Sequence, residues 1–279
     1  MEITVINPFL FYTFVFIFGL LFGSFLNVCI YRLPRDESIA FPPSHCTNCS
    51  TPIKFYQNIP VISYLLLGGK CSSCKEPISV IYPVVELFTA VLVTLLFYKY
   101  GVTIETFVYV ILALSLIVIS FIDLEHFIIP NVITLPGIII GLAYNLLITD
   151  WGFFLKIIPG LDFENIFYIA PRIPALNSVF GIIIGGGTLL LIAYLYKIIR
   201  KREGMGMGDV KLLAMLGAFL GINGVFFIIL VSSLVGSVIG ITLILIQRGN
   251  MKLALPYGPF ISFAAVLFLF TGPIVIPAI

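Results

Sequence analysis

Charged residues are scarce in this sequence. Lysine, arginine, aspartate and glutamate make up 10% of the 279 residues, whereas 60% are hydrophobic and the mean hydropathy is +1.17. Soluble domains carry about 25% charged residues, so this composition excludes an ordinary soluble domain. Long uncharged runs predict an all-α, polytopic membrane protein whose partners include lipids and no nucleic acid.

Basic residues are also absent before the first apolar run. Arg32 and Arg35 follow that run, which reverses the charge order of a cleaved signal peptide. We therefore expect the run to remain as the first of about eight membrane spans. The predicted spans are Phe9–Tyr31, Val80–Tyr98, Ile104–Ile122, Ile128–Ile148, Leu176–Tyr196, Asp209–Ile222, Val225–Ile246 and Pro259–Ile276, with a tight turn at Asn223-Gly224 between the sixth and the seventh.

The lysines and arginines are distributed unevenly among the predicted loops. Twelve of the 15 fall on the side of Arg32, and only Lys99, Lys156 and Arg172 fall on the other side. Because basic residues favour the cytoplasmic face, we expect both termini outside the cytoplasmic (inner) membrane and the active sites facing the cytoplasm. The predicted parts are a first transmembrane helix (1–32), a cytoplasmic insert (33–79) and a seven-helix membrane region (80–279); no convincing internal repeat is evident.

Two aspartates are predicted to lie at the cytoplasmic face. Asp209 follows the alternating glycines Gly204, Gly206 and Gly208, which would let a peptide approach its carboxylate closely. Asp123 ends the third span at the same depth, and an ionisable residue in such a place is by default a site hypothesis. Two facing aspartates can share a proton, so that one activates water while the other polarises a carbonyl group.

Simpler explanations exist for these residues. An aspartate can merely cap a helix, which fits Asp209 at the start of a span better than Asp123 at the end of one. Pro130 can restart a helix after Asp123, because its missing N–H is not needed there. Lys211 could pair with Asp209 or Glu203, although extension towards the lipid headgroups is the interpretation we favour.

Four of the five cysteines form two pairs in the predicted insert. Cys46 and Cys49, then Cys71 and Cys74, have the spacing of a structural tetrahedral zinc site. A reducing cytoplasm disfavours disulfides, but two disulfides or metal-free thiols remain the alternatives. Cys29, inside the first span, is expected to serve packing alone. The insert is too short for a nucleotide-binding sheet domain and has no Gly-rich fingerprint.

The motifs, taken in order, resemble those of the type IV prepilin peptidases, which are intramembrane aspartic proteases of the Gly-x-Gly-Asp class. The resemblance covers nearly the whole chain. It rests on Gly23-Ser-Phe-Leu-Asn27-Val28 with Arg32-Leu-Pro34, Asn58-Ile-Pro60-Val-Ile-Ser63-Tyr64, Gly69-Lys-Cys71, Tyr82-Pro83 with Glu86, Asp123 with Ile129-Pro130-Asn131, Gly206-Met-Gly208-Asp209, and Lys252 with Pro256-Tyr257-Gly258-Pro259.

The resemblance implies a reaction and its residues. Family members cut the short basic leader of prepilins and pseudopilins after a glycine, which makes Asp123 and Asp209 the catalytic pair, with Gly206, Gly208, Lys211 and Pro130 in support. Members with the cysteine insert also N-methylate the new N-terminal residue, usually phenylalanine, with S-adenosylmethionine. The expected cofactors are therefore structural zinc and S-adenosylmethionine as methyl donor.

Methyl transfer requires an unprotonated amine, and an α-amino group is partly protonated near neutral pH. Glu86 is the candidate to accept that proton and to attract the cationic donor, while Arg32 and Asn27 could bind the peptide or the donor carboxylate. Alternatively, Glu86 is a buried acid paired with Arg32 or another base, and Arg32 and Asn27 anchor a helix end.

Two competing functions remain at the level of sequence. One is a prepilin peptidase without methyltransferase activity. The other is a transporter with paired acids, which would need those acids near the membrane midplane beside broken helices. Their predicted position at one face argues against a transporter.

Overall fold

A computed structural model describes residues 7–153, 169–201, 206–246 and 255–275. The described residues are predominantly helical and contain no β-strand, which confirms the all-α prediction. The α-helices are α1 (Pro8–Arg32), α2 (Ile62–Leu66), α3 (Ile81–Tyr100), α4 (Ile104–His126), α5 (Asn131–Leu147), α6 (Pro174–Arg200), α7 (Met207–Ile246) and α8 (Gly258–Val275), with 3-10 turns at Leu33–Arg35, Phe55–Gln57 and Ala170–Arg172.

Five of the described helices are long and apolar enough to cross a bilayer, namely α1, α3, α4, α6 and α7. Helices α5 and α8 are also apolar but shorter. Large side chains such as Phe14 and Phe22 of α1 are 59% and 43% exposed. Apolar side chains on the outside of apolar helices indicate a surface made for lipid, as in an integral membrane protein.

The chain divides into two compact units, residues 1–122 and 123–279. In the first unit α1 packs against α3. The helices cross closely because α1 offers glycines there: a Cβ on Gly19 or Gly23 would lie 2.6 Å from the Cα atoms of Ala90 and Glu86, respectively. Small residues permit such close approach in lipid, where packing rather than water exclusion holds helices together.

In the second unit α7 packs against α5, α6 and α8. The α6–α7 contact is closest at Gly181 and Gly217, where added Cβ atoms would overlap the opposite backbone. Gly185 also lies against α7, since its Cβ would be 2.6 Å from the Leu213 carbonyl oxygen. Helix α7 is therefore the element around which this unit is assembled.

Helix α7 is interrupted at Gly221, which has φ 68° and ψ −166°, a conformation that favours glycine. The Asn177 Oδ1 atom accepts a hydrogen bond from the N–H of Ile222 at 2.8 Å and so satisfies a donor freed by the break. The predicted turn at Asn223-Gly224 was wrong in position, because both residues are helical.

Candidate functional site

Asp123 lies in the last turn of α4 and is only 5% exposed. Its Oδ2 atom accepts a hydrogen bond from the backbone N–H of Gly258 at 2.8 Å. Gly258 is the first residue of α8, and the first N–H groups of a helix have no partner within the helix. The carboxylate therefore satisfies one of these donors and keeps further lone pairs, including those of Oδ1, for other chemistry.

Gly258 has no space for a side chain. A Cβ there would lie 2.7 Å from Asp123 Oδ2 and 3.2 Å from its Cγ. The sequence placed Gly258 in a motif but did not show that it contacts Asp123. A Gly-Pro pair at the start of an apolar run was the available signal, because it marks a helix N-terminus with unpaired N–H groups.

Asp209 lies in the first turn of α7 and is half-buried. It is close enough to Asp123 for the charge of Asp123 to act on it electrostatically. The ion pair among the described residues joins His126 and Glu125. No basic side chain in the described part of the chain therefore pairs with Asp123 or Asp209. The structure thus brings together the two acids that the sequence singled out, 86 positions apart.

The residues around the acids tie α5 to α7. The Lys211 Nζ atom donates to Asn131 Oδ1 at 2.8 Å rather than to an acid, which differs from both sequence interpretations. Pro130 is the N-cap of α5, so the helix restarts directly after it. Gly208 packs against Ile129, whose Cβ would lie 2.8 Å from a Cβ on the glycine.

Gly206 has a different environment from Gly208. It is exposed, and a Cβ on Gly206 would lie 4.0 Å from Oδ2 of Asp209. Gly206 therefore leaves open space beside the carboxylate, whereas Gly208 is explained by packing. Glu203 and Lys252, which the sequence also named, lie outside the described residues.

The four paired cysteines converge in the first unit. The Sγ atoms of Cys46, Cys49, Cys71 and Cys74 all lie within 4.8 Å of one another, and Cys46 and Cys74 are 3.9 Å apart. Four sulfur atoms about 2.3 Å from a tetrahedral zinc ion would be about 3.8 Å apart. The cluster fits such an ion with a small contraction, and no disulfide joins the described cysteines.

Each cysteine pair lies on the same kind of turn. Cys46 N–H donates to Thr51 O at 3.0 Å and Ser50 N–H to Cys46 O at 2.9 Å. The second pair repeats both bonds 25 residues later, from Cys71 to Glu76 and from Lys75 to Cys71. Both turns have the sequence Cys-x-x-Cys-x-x-Pro-Ile, which explains their matching hydrogen bonds. The expectation of no internal repeat was therefore wrong for this short segment.

Thiol chemistry also suits a metal here. The side chain and then the backbone N–H of Thr51 lower the pKa of Cys49 to about 6. This lowered pKa favours the thiolate of Cys49, which is the form that binds metals, whereas burial and the neighbouring thiols raise the pKa of Cys74 to about 11.

The three residues considered for methyl transfer lie in the first unit and are nearly buried. Asn27 Nδ2 donates to the Tyr82 carbonyl oxygen at 3.0 Å, which joins α1 to the start of α3. Arg32 donates to the carbonyl oxygens of Ser38 and Pro42 at 2.8 and 2.6 Å. Glu86 accepts a hydrogen bond from the N–H of Val61 at 2.8 Å.

Of these three residues, Arg32 also lines a cavity of about 320 Å³. Its polar lining includes Ser24, Arg32 and Asn58, and apolar side chains such as Leu21 and Phe25 form other walls. Among the described residues, Arg32 and Glu86 do not form an ion pair with each other.

Comparison with known proteins assigns most of the chain. Residues 17–100 match the model of the bacterial peptidase A24 N-terminal domain, and residues 110–241 match that of the type IV leader peptidase family. Three similar proteins carry the name prepilin leader peptidase/N-methyltransferase. Those of Pseudomonas putida and Pseudomonas aeruginosa are both 34% identical, over 92% and 95% of this chain and 90% and 92% of their own lengths. That of Neisseria gonorrhoeae is 38% identical over 87% of this chain and 85% of its own length. No solved structure matches the chain.

Proposed function

Because this chain belongs to the type IV leader peptidase family, we propose that it cleaves the leader from prepilins or pseudopilins and then N-methylates the new N-terminus. The observation that carries the peptidase is the proximity of Asp123 and Asp209 in one unit, with no described basic side chain to neutralise either. S-adenosylmethionine is the methyl donor, and the substrate helix enters from the lipid.

Hydrolysis would proceed by general acid–base catalysis. Two close carboxylates do not ionise together readily, so one proton is shared between them. The ionised aspartate takes a proton from water as the water oxygen attacks the carbonyl carbon of the leader glycine, and the other aspartate donates a proton to the carbonyl oxygen. Collapse of the tetrahedral species breaks the C–N bond. The departing nitrogen takes the proton that the first aspartate removed from water, and the former carbonyl oxygen returns its proton to the second aspartate.

The position of each aspartate supports this division of labour. Gly258 N–H donates to Oδ2 of Asp123, so we assign Oδ1 to the reaction. The exposed Gly206 leaves room for an extended peptide next to Asp209. The substrate glycine that precedes the cut bond would further reduce crowding between the backbone of the substrate and that of the enzyme.

The methyl transfer follows on the amine that cleavage releases. The donor, when bound, would supply its methyl group to the lone pair of that nitrogen and would leave as a neutral thioether. The product nitrogen must then lose a proton to a base or to water. Glu86, Arg32 and Asn27 are the first-unit residues that we assign to this step.

Zinc would hold the insert together. Cys46, Cys49, Cys71 and Cys74 supply four sulfur ligands, which close a tetrahedral site and leave no position for substrate. We therefore assign a structural role to the ion. Its chemistry is limited to joining the two Cys-x-x-Cys turns.

We further propose eight spans with both termini outside the inner membrane. The break at Gly221 divides α7 into two helical segments. The described residues therefore contain eight apolar helical segments instead of seven. The uneven distribution of lysine and arginine then puts the acids at the cytoplasmic face. This position does not fit a transporter with acids at the membrane midplane.

The test is leader cleavage and methylation by the purified protein in lipid, with a prepilin and S-adenosylmethionine. Asp123→Asn and Asp209→Asn should each reduce cleavage by at least about 10²-fold, since general acid–base groups contribute that much. Asp36→Asn is the control, because Asp36 is exposed and asparagine tolerates its positive φ. Full cleavage by either dyad variant would refute the dyad, and cleavage without methylation by the unaltered protein would leave a peptidase alone.

A further inference from the structure

An uncharged stretch lies inside the predicted cytoplasmic insert. Residues 55–69 carry no charged side chain, whereas Lys54 and Lys70 lie directly before and after them. The stretch contains the 3-10 turn Phe55–Gln57 and helix α2. It is too short to cross a bilayer, and apolar segments of such length are usually buried in protein or lie at the membrane surface.

One face of α2 is apolar and exposed. Ile62, Leu65 and Leu66 share that face, because residues three and four apart are neighbours on a helix, and they are 53%, 70% and 83% exposed. Phe55, in the preceding 3-10 turn, is 87% exposed. The segment is therefore not buried in the described protein, and an apolar surface of this kind marks a contact with a partner or a membrane.

Another side of α2 is fixed to the rest of the segment. The buried Ser63 Oγ atom accepts a hydrogen bond from Ile59 N–H at 2.9 Å and donates to the Tyr56 carbonyl oxygen at 3.1 Å. These two bonds connect α2 to the 3-10 turn and keep Ser63 inward. The apolar face of α2 consequently stays outward.

A hydrogen bond also ties α2 to the membrane helix α3. Val61, directly before α2, donates its N–H to Glu86 Oε2 at 2.8 Å. Glu86 is the sixth residue of α3, which begins at Ile81 and is apolar enough to span a bilayer. At a rise of about 1.5 Å per residue, Glu86 lies about 7 Å inside that helix. The start of α2 therefore lies beside α3 rather than beyond its end.

We infer that α2 lies in the membrane interface, with its apolar face against lipid at the side where α3 begins. The contact with Glu86 holds that face at the level of the lipid that surrounds α3. Lys54 and Lys70 then lie at the level of the headgroups, whose anionic members attract basic side chains. A five-residue helix leaves most of its backbone groups without helical partners, so it stays in the interface and does not enter the hydrocarbon core. This inference does not depend on either proposed activity.

Tryptophan fluorescence can locate this face, because Trp151 is the single tryptophan of the chain. Leu66→Trp would be introduced into full-length protein that carries Trp151→Phe, and the purified protein would be placed in lipid nanodiscs. Phospholipids with bromine near the top of their acyl chains should quench the introduced tryptophan at least about twofold, since an interfacial helix buries its apolar face about 5–10 Å deep. Acrylamide, which remains in water, should quench it only weakly.

Thr47→Trp in the same background is the control, since Thr47 is exposed and lies in the first cysteine turn. Acrylamide should quench this tryptophan, and the brominated lipids should not. Ile62→Trp repeats the test on the same face of α2, in case Leu66→Trp disturbs the fold. Quenching by acrylamide alone would place α2 in water, and quenching by neither reagent would place a protein surface over it, such as a second copy of the chain. Either result would overturn the inference.

Discussion

At the scale of single residues, Asp123 is positioned by a residue that contributes no side chain. Gly258 supplies a backbone N–H to Oδ2, and the absence of a Cβ is what lets the carboxylate come close. Orientation of a catalytic group to within fractions of an ångström carries much of its effect. Gly258 is accordingly a positioning residue for the proposed peptidase.

Gly258→Ala should reduce leader cleavage by about 10²-fold, because the new Cβ would force Asp123 away from its present position. The loss should appear in kcat more than in KM. Gly187→Ala is the matched control, since no atom lies within 4 Å of a Cβ at that position. Equal cleavage by the Gly258 and Gly187 variants would show that the N–H contact does not position the acid.

Lys211 gives a second prediction at this scale. If its bond to Asn131 aligns the starts of α5 and α7, Lys211→Met and Asn131→Ala should lower cleavage to a similar degree. The double variant should then be no worse than either single one, with a coupling of about 1 kcal/mol in a double-mutant cycle. Additive losses, or full activity of Asn131→Ala alone, would instead indicate that Lys211 acts on an aspartate.

At the scale of elements, the two cysteine turns form a unit that the metal would close. Each turn has its own backbone hydrogen bonds, but little regular structure links them beyond the 3-10 turn Phe55–Gln57 and helix α2. A small element with so little packing usually depends on its metal for stability. The ion would thus fix the segment that also borders the cavity next to Arg32.

Removal of the metal should therefore affect methylation more strongly than cleavage. The protein should contain about one zinc ion per chain, and Cys46→Ser and Cys74→Ser should lower that ratio and the methylation rate at least tenfold. Cys29→Ser should retain the metal, because Cys29 lies within α1 and outside the cluster. Metal-free wild-type protein that methylates normally would exclude a structural zinc ion.

Sequence reasoning predicted most of these elements but few of the contacts between them. Hydropathy located the helices to within a few residues, because apolar length is a direct requirement of the bilayer. Charge placement put Asp123 and Asp209 at one level, and in the structure the charge of Asp123 acts on Asp209 electrostatically. Sequence reasoning did not predict the Gly258 N–H contact or the Lys211–Asn131 hydrogen bond, since both depend on how helices distant in sequence pack. The position of the break in α7 also escaped it, because Asn177 of another helix stabilises the break at Gly221.

At the scale of the whole molecule, the proposed activities occupy different compact units. The aspartates, Lys211 and Gly258 belong to residues 123–279, while the cysteines, Arg32 and Glu86 belong to residues 1–122. Both units must present their sites to one compartment if cleavage and methylation act on one N-terminus. The distribution of basic residues predicts that this compartment is the cytoplasm.

This orientation predicts which thiols a membrane-impermeant maleimide can reach on intact cells. All five native cysteines should stay unlabelled, because four lie in the cytoplasmic insert and Cys29 is buried in α1. Val102→Cys, in the exposed turn between α3 and α4, should be labelled on intact cells. Glu37→Cys, after the end of α1, should be labelled only when the membrane is opened or inverted. The reverse pattern would place the acids outside, where a leader retained in the cytoplasm could not reach them, and the proposed reaction would then fail together with the topology.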